Sequence, residues 1–285
     1  MSRPPVRPEG AYWETVLDRL SALYRTGDWR SPYLRDHAEN PFQVLIGTIL
    51  SQRTRDANTD AASARLFARY PDARSLARAP ARAIEPLIRA TGFYHVKARV
   101  IRDCARALLA RHGGEVPASF ETLTDLPGVG PKTANCVLVF GYGIPAIPVD
   151  THVHRIVNRL GVVRTRTPAE TEARLRDILD RPYWIPLNPL LVQHGQNLCR
   201  PIGPRCDACP IVELCATGRA RRDGTPTPRP EDRARAPRSG GGRRATRARG
   251  RRAPRGSPRR TGTTGPRRSS RTRTRPTPRP RARSS

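Results

Sequence analysis

An all-α fold is what this sequence predicts, and three observations carry that prediction. Apolar residues recur at three- and four-residue spacing through most of the first 215 positions. Residues that start and stop helices stand at the ends of those runs. No segment shows the apolar–polar alternation of a half-buried strand.

After a loose basic lead over 1–10, Trp13, Val16, Leu17, Leu20, Leu23 and Tyr24 share one helical stripe. Asn40-Pro41 reads as a cap and first turn, opening a helix with Phe42, Leu45, Ile46, Ile49 and Leu50 on one face. Helices are expected around 56–70 and at Ala81–Ala90, the second closing at Gly92. Residues 96–112 place Ile101, Cys104, Ala105 and Leu108 on a stripe stopped by Gly113-Gly114. A short helix near 119–125 leads to Leu126-Pro127-Gly128-Val129-Gly130, and Pro131 opens a helix to about Gly141. Residues 142–149 are a Pro-broken loop. The helix after Asp150 aligns Val153, Ile156, Val157 and Leu160. Thr167-Pro168-Ala169-Glu170 is a capping box for a helix with Leu175, Ile178 and Leu179, and a last helix around 188–198 runs into a group of cysteines. From about 216 the chain becomes Arg, Pro, Gly, Ser and Thr, which cannot bury enough apolar surface to offset chain entropy, so disorder is expected over 216–285.

Charge narrows the partner. The formal net charge is +29, of which residues 216–285, with 24 Arg and 3 acids, carry +21. The body keeps 29 basic and 21 acidic side chains. A moderately basic body with an intensely basic tail points to a polyanion, most simply nucleic acid. No stretch reaches the length of a membrane span and the start lacks a signal-peptide core, so no membrane partner and a cytoplasmic, nucleoid-associated location are expected. Among 53 basic residues only Lys97 and Lys132 are lysine. A lysine here marks chemistry that arginine cannot do.

Cys199, Cys206, Cys209 and Cys215 form C-x6-C-x2-C-x5-C, four thiolates within reach of one centre. Zinc ribbons use two close knuckles, whereas only Cys206 and Cys209 make one here. The spacing favours a [4Fe-4S] cluster, with tetrahedral zinc the competitor. Arg200 and Arg205, in a loop stiffened by Pro201 and Pro204, are placed either to meet phosphate or simply to be solvated. Cys104 and Cys136 lie on apolar helical faces and read as core.

The turn Leu126–Gly130 joins two helices, and its glycines let backbone N–H groups meet a phosphate. Lys132 is the second residue of the helix that follows. A helix N-terminus disfavours a cation, so a depressed pKa is expected, giving more neutral amine to attack carbon. Arginine could hold a phosphate there but could not form a Schiff base. Asp150, at the next helix start, is an N-cap by position and can face Lys132 if 142–149 returns the chain. His152 and His154, two apart, diverge and suggest no metal site.

The strings L-P-G-V-G-P-K-T-A (126–134), V-D-T-H-V-H-R (149–155) and T-G-F-Y-H-V-K-A (91–98), with the four cysteines, resemble the endonuclease III family of helix-hairpin-helix DNA glycosylases over residues 36–215. The resemblance implies two helical domains flanking a DNA cleft: a six-helix barrel over 34–144, and a domain of 145–215 that holds a [4Fe-4S] cluster and packs with the N-terminal helix of 11–33. It implies a monomeric bifunctional glycosylase and abasic-site lyase acting on double-stranded DNA that contains damaged bases, oxidised pyrimidines by family default, or abasic sites. Lys132 would attack the sugar and Asp150 would assist it. The hairpin residues Leu126, Gly128, Val129 and Gly130, with Thr151, Arg200 and Arg205, would meet DNA. Phe93 falls at the family's apolar wedge, and Gln52-Arg53 at its polar one. The family glutamine stands one place later, where this chain has Arg53. Lys97 matches a family lysine that makes a phosphate or structural contact. Two other readings compete: a monofunctional mismatch glycosylase, which generally lacks the lysine, and a non-catalytic DNA-binding module, which needs neither Lys132 nor Asp150.

Overall fold

The computed structural model describes Gly10–Arg25 and residues 40–225. The disorder expected beyond 225, and the lead over 1–9, lie outside the described residues. Those described are helical and turn throughout, with no strand among them.

Asn40 caps α2 (Pro41–Ser51) as expected, its side chain accepting from Phe42 N and Gln43 N. There follow α3 (Asp56–Arg69), α4 (Ala73–Arg78), α5 (Ala81–Ile84), α6 (Tyr94–His112) and α7 (Phe120–Thr124). Next comes α8 (Pro131–Cys136), which widens into a π turn over Val137–Gly141. Their apolar faces make one core, with Leu45, Leu66, Leu76, Ile88, Ile101, Leu108, Leu123 and Val137 fully buried. A second core joins α1 (Gly10–Arg25) to α9 (Thr151–Leu160), α10 (Pro168–Ile178) and α11 (Trp184–Asn197). Its centre is Trp13, Leu20, Val153, Ile156, Leu175, Leu187 and Leu191. Each such aliphatic side chain contributes about 1.5–3 kcal/mol by burial.

The structure departs from the sequence reading in five places. The helix expected at Ala81–Ala90 is only the short α5: Glu85 keeps helical angles, but Pro86 has no N–H to donate back to Arg82 O and its ring crowds that carbonyl. Residues 73–78 form an unexpected helix, capped by Asp72, which shares a reciprocal capping box with Ser75. At Thr167 the expected box is half formed: Glu170 N donates to Thr167 Oγ1 at 3.2 Å, but the Glu170 carboxylate accepts from Arg166 N at 2.9 Å. The helix α11 starts at Trp184, four residues early, where Trp184 Nε1 donates to Leu179 O at 2.8 Å. Finally, residues just past 215 are folded: α12 (Ala216–Arg222) is begun by Cys215, whose Sγ accepts from Gly218 N at 3.3 Å.

Candidate active site

The hairpin that introduces the site is a backbone device. Gly128 has φ +80, and a Cβ there would lie 2.3 Å from Val100 Cγ1, so only glycine closes the turn at this distance from α6. Leu126 and Val129 are buried in the first core, and Val129 N donates to Leu126 O at 3.1 Å. Those side chains anchor the turn, so a DNA contact at Leu126 or Val129 falls to their backbone, and the outward part of the hairpin is Gly128.

From this turn α8 projects Lys132 into a cleft of about 400 Å³. Asp56, Asp150, Thr151, His152 and Gln196 line the same cleft, with Ser51–Thr54 along its rim. Asp150 caps α9, and its Oδ1 accepts from His152 N and Val153 N, both at 2.8 Å. The cap fixes the carboxylate where its charge reaches Lys132. The lysine does not have the depressed pKa expected from the helix start. Burial is the largest single influence and pushes it down, but Cys136, Asp150 and Asp56 together raise it above the usual lysine value. The resting group is an ammonium, so attack on carbon requires a proton acceptor beside it.

His152 turns toward Arg155 and His154 toward Thr171, 2.6 Å from its hydroxyl, so the two rings do diverge. Burial, the larger influence, holds the His152 pKa below its usual value against the pull of Asp150.

The four cysteines Cys199, Cys206, Cys209 and Cys215 line one apolar cavity with Ile156, Leu160, Leu198, Ile211 and Val212. No group of three His, Cys, Asp or Glu side chains among the described residues is placed to hold a single metal ion. Three polar groups aim at the sulfurs. Arg159 Nη1 donates to Cys199 Sγ at 3.3 Å, Gly218 N to Cys215 Sγ at 3.3 Å, and His194 Nε2 lies 3.5 Å from Cys209 Sγ. Burial pushes the Cys209 thiol up to about 12. Sulfur ligands, an apolar wall and N–H···S contacts suit an iron–sulfur cluster.

Residues 46–181 match the HhH-GPD superfamily base excision DNA repair protein family. Endonuclease III of Thermotoga maritima is 48% identical over 191 residues, covering 67% of this chain and 90% of the relative. Mouse endonuclease III-like protein 1 is 41% identical over 205 residues, covering 71% and 67%. The chain belongs to the endonuclease III family. A solved structure of a trapped endonuclease III–DNA covalent intermediate superposes with a TM-score of 0.65 at 32% identity, covering 75% of this chain and 99% of that one. A thermostable thymine-DNA glycosylase, at 22% identity and TM-score 0.66, shares the fold. This is a DNA-repair enzyme of the endonuclease III family, and no helix among its described residues is long and apolar enough to cross a membrane.

The remaining residues expected at the endonuclease III-like DNA face fall into two groups. Gln52, Arg53, Phe93, Thr151, Arg200 and Arg205 are exposed, Phe93 by 62%. Lys97 is not: it is 6% exposed, and its Nζ is spent on Leu50 O, Gln52 O and Thr54 Oγ1 at 2.7, 2.6 and 2.8 Å. Of the phosphate or structural contact expected of Lys97, these bonds are the structural one, and its place among the DNA-facing residues is corrected. Sequence reasoning missed Asp56, which was read only as part of a helix, and Gln196, which donates to Asp56 Oδ2 at 2.7 Å. It also missed that Cys136, one turn from Lys132, faces the lysine and not only the core. The i to i+4 spacing of Lys132 and Cys136 was the available signal.

Proposed function

We propose that this protein is a bifunctional DNA glycosylase and abasic-site lyase of base-excision repair, acting on double-stranded DNA with oxidised pyrimidines or abasic sites. One observation carries the reading: the amine of Lys132 shares a cleft with the carboxylates of Asp150 and Asp56. A nucleotide flipped from the duplex brings its sugar into that cleft. Asp150 accepts a proton from the Lys132 ammonium. The free amine forms a bond to C1′ as the C1′–N bond to the base breaks, and the base leaves with the bonding pair. The sugar ring opens to a lysine imine. Loss of a proton from C2′ then expels the 3′ phosphate, cutting the strand, and water releases Lys132. Carboxylates around the amine also stabilise positive charge on the sugar. The relatives named above are endonucleases III, and one neighbour is a trapped protein–DNA covalent intermediate, which supports a covalent route.

Cys199, Cys206, Cys209 and Cys215 would hold the [4Fe-4S] cluster, which supplies structural closure of the loop rather than a hydrolytic metal. Arg159 keeps that loop in place by donating to Arg200 O at 2.7 Å and Pro201 O at 2.8 Å, leaving the Arg200 and Arg205 side chains outward for phosphate.

Borohydride trapping on abasic-site duplex tests the reading. A covalent adduct from the wild type that disappears in Lys132→Ala supports the lyase. Base release without any adduct would make the protein a monofunctional glycosylase, and binding without either would make it a DNA-binding module.

A further inference from the structure

Among the described residues only two non-glycine residues have positive φ, Arg53 at 52 and Phe93 at 58. Such a backbone is strained and persists only where its surroundings hold it. Phe93 and the Gln52-Arg53 pair are also the exposed side chains expected to enter the helix beside a flipped nucleotide, and of that pair Arg53 is the strained one. Arg53 and Phe93 stand together, the Arg53 guanidinium carbon 5.8 Å from the centre of the Phe93 ring.

Their two loops meet at Lys97. Its backbone N donates to Phe93 O at 3.0 Å, and its Nζ donates to Leu50 O, Gln52 O and Thr54 Oγ1 on the other loop. The ammonium thus sits on the carbonyl end of α2, where a helix favours positive charge. Thr54 Oγ1 also accepts from Gly92 N at 3.2 Å, next to Phe93. Gly92 itself approaches so closely that a Cβ would lie 3.0 Å from Arg53 O. Besides the Arg53–Phe93 contact itself, the ties described between the loops pass through Lys97, Thr54 and the Gly92 backbone.

We propose that Lys97 is a positioning residue that holds Arg53 and Phe93 as one preformed wedge, so that both enter the duplex together when the target nucleotide leaves it. The inference rests on the proposed flipping of a nucleotide into the cleft. An untied loop would let either strained residue relax to negative φ and swing its side chain off the line of entry. A misplacement of about an ångström costs up to roughly a hundredfold in rate. The duty falls on a hole that contains an orphaned base, because there the two side chains must replace lost stacking.

The test compares single-turnover cleavage of two duplexes. One has an abasic site opposite guanine, and the other has an abasic site opposite a second abasic nucleotide, leaving no orphaned base. Lys97→Met is expected to slow the first duplex by about tenfold or more and the second by no more than about twofold. Thr54→Val, which removes one hydroxyl and no charge, moves the same ratio in the same direction and carries the test if Lys97→Met does not fold. Equal slowing on both duplexes, or none on either, overturns the proposal. Phe93→Ala tests the wedge itself. If Phe93→Ala leaves the ratio unchanged, the wedge reading falls and the role of Lys97 falls with it. If Phe93→Ala moves the ratio and the Lys97 and Thr54 variants do not, only the role of Lys97 is lost. A wild type that cleaves neither duplex would refute the lyase assignment.

Discussion

Gln196 Nε2 donates to Asp56 Oδ2 at 2.7 Å, tying α11 to the start of α3 across the cleft that holds Lys132. The bond fixes a second carboxylate near the amine, and that carboxylate is one of the groups that raise the lysine's pKa. Asp56→Asn keeps the shape and removes the charge. With less negative charge nearby the ammonium is less favoured, so its pKa falls. In the proposed mechanism the nucleophile is the neutral amine, so the rising limb of the pH–rate profile moves to lower pH. Single-turnover trapping from neutral to alkaline pH measures this, and an unmoved limb would show that Asp56 does not act on the lysine.

Asp150 has two duties, and two substitutions separate them. Its Oδ1 satisfies the N–H groups of His152 and Val153, and its charge acts on Lys132. Asp150→Ala loses both and should cost about 1 kcal/mol of stability, the usual worth of an N-cap. Asp150→Asn keeps a capping oxygen and should cost only a few tenths. Both should lose trapped adduct to a similar degree, since neither can take the lysine's proton. Urea denaturation beside trapping decides this. Full trapping by Asp150→Asn would assign the aspartate to the cap alone.

The cleft was legible in the sequence only where its residues obey local rules. Lys132 and Asp150 stand at helix starts marked by Pro131 and by the cap, so position along the chain located them. Asp56 also begins a helix, but its partner Gln196 lies 140 residues away, and no local pattern joins them. Lys97 shows the same limit. On a helical wheel it is an ordinary basic residue, and only tertiary packing reveals the three oxygens around its amine. The expected depression of the Lys132 pKa failed for a related reason. The field of one helix start is local, whereas the groups that outweigh it come from α3, α8 and the start of α9. Among the helices, strong apolar stripes and the caps at Asn40 and Asp150 were read correctly, and the six-residue α4 was lost because one turn and a half carries too little periodicity.

The hairpin glycine supplies a stability test. Gly128→Ala places a Cβ 2.3 Å from Val100 Cγ1 and keeps a φ of +80 that alanine rarely adopts. Overpacking costs about 1–3 kcal/mol, and the backbone strain adds to it. Val100→Ala should recover the packing part when combined with Gly128→Ala, because it removes the methyl group in the way. The strain part should remain. A double-mutant cycle by urea denaturation measures the two parts. Full recovery in the double variant would show that φ at Gly128 is not strained, and no recovery would show that Val100 is not the obstacle.

Lys97 gives stability a pH dependence of defined sign. Burial brings its pKa down to about 8 from 10.5. Between those values the unfolded chain binds a proton that the folded protein has released, so the lysine's contribution to stability rises with pH. Below about 8 both states are charged, and folding carries the full cost of burying the ammonium, partly offset by its three oxygens. Above 10.5 both are neutral and that cost is gone. Lys97→Met has no such group, so the stability of the wild type minus that of Lys97→Met should climb across this window and level off at either side. Paired urea titrations at a series of pH values read the difference directly, and the other titrating groups cancel. A difference that stays flat would mean that the three hydrogen bonds to the ammonium match its hydration and the pKa is unmoved by burial. A difference that falls would mean that they exceed it.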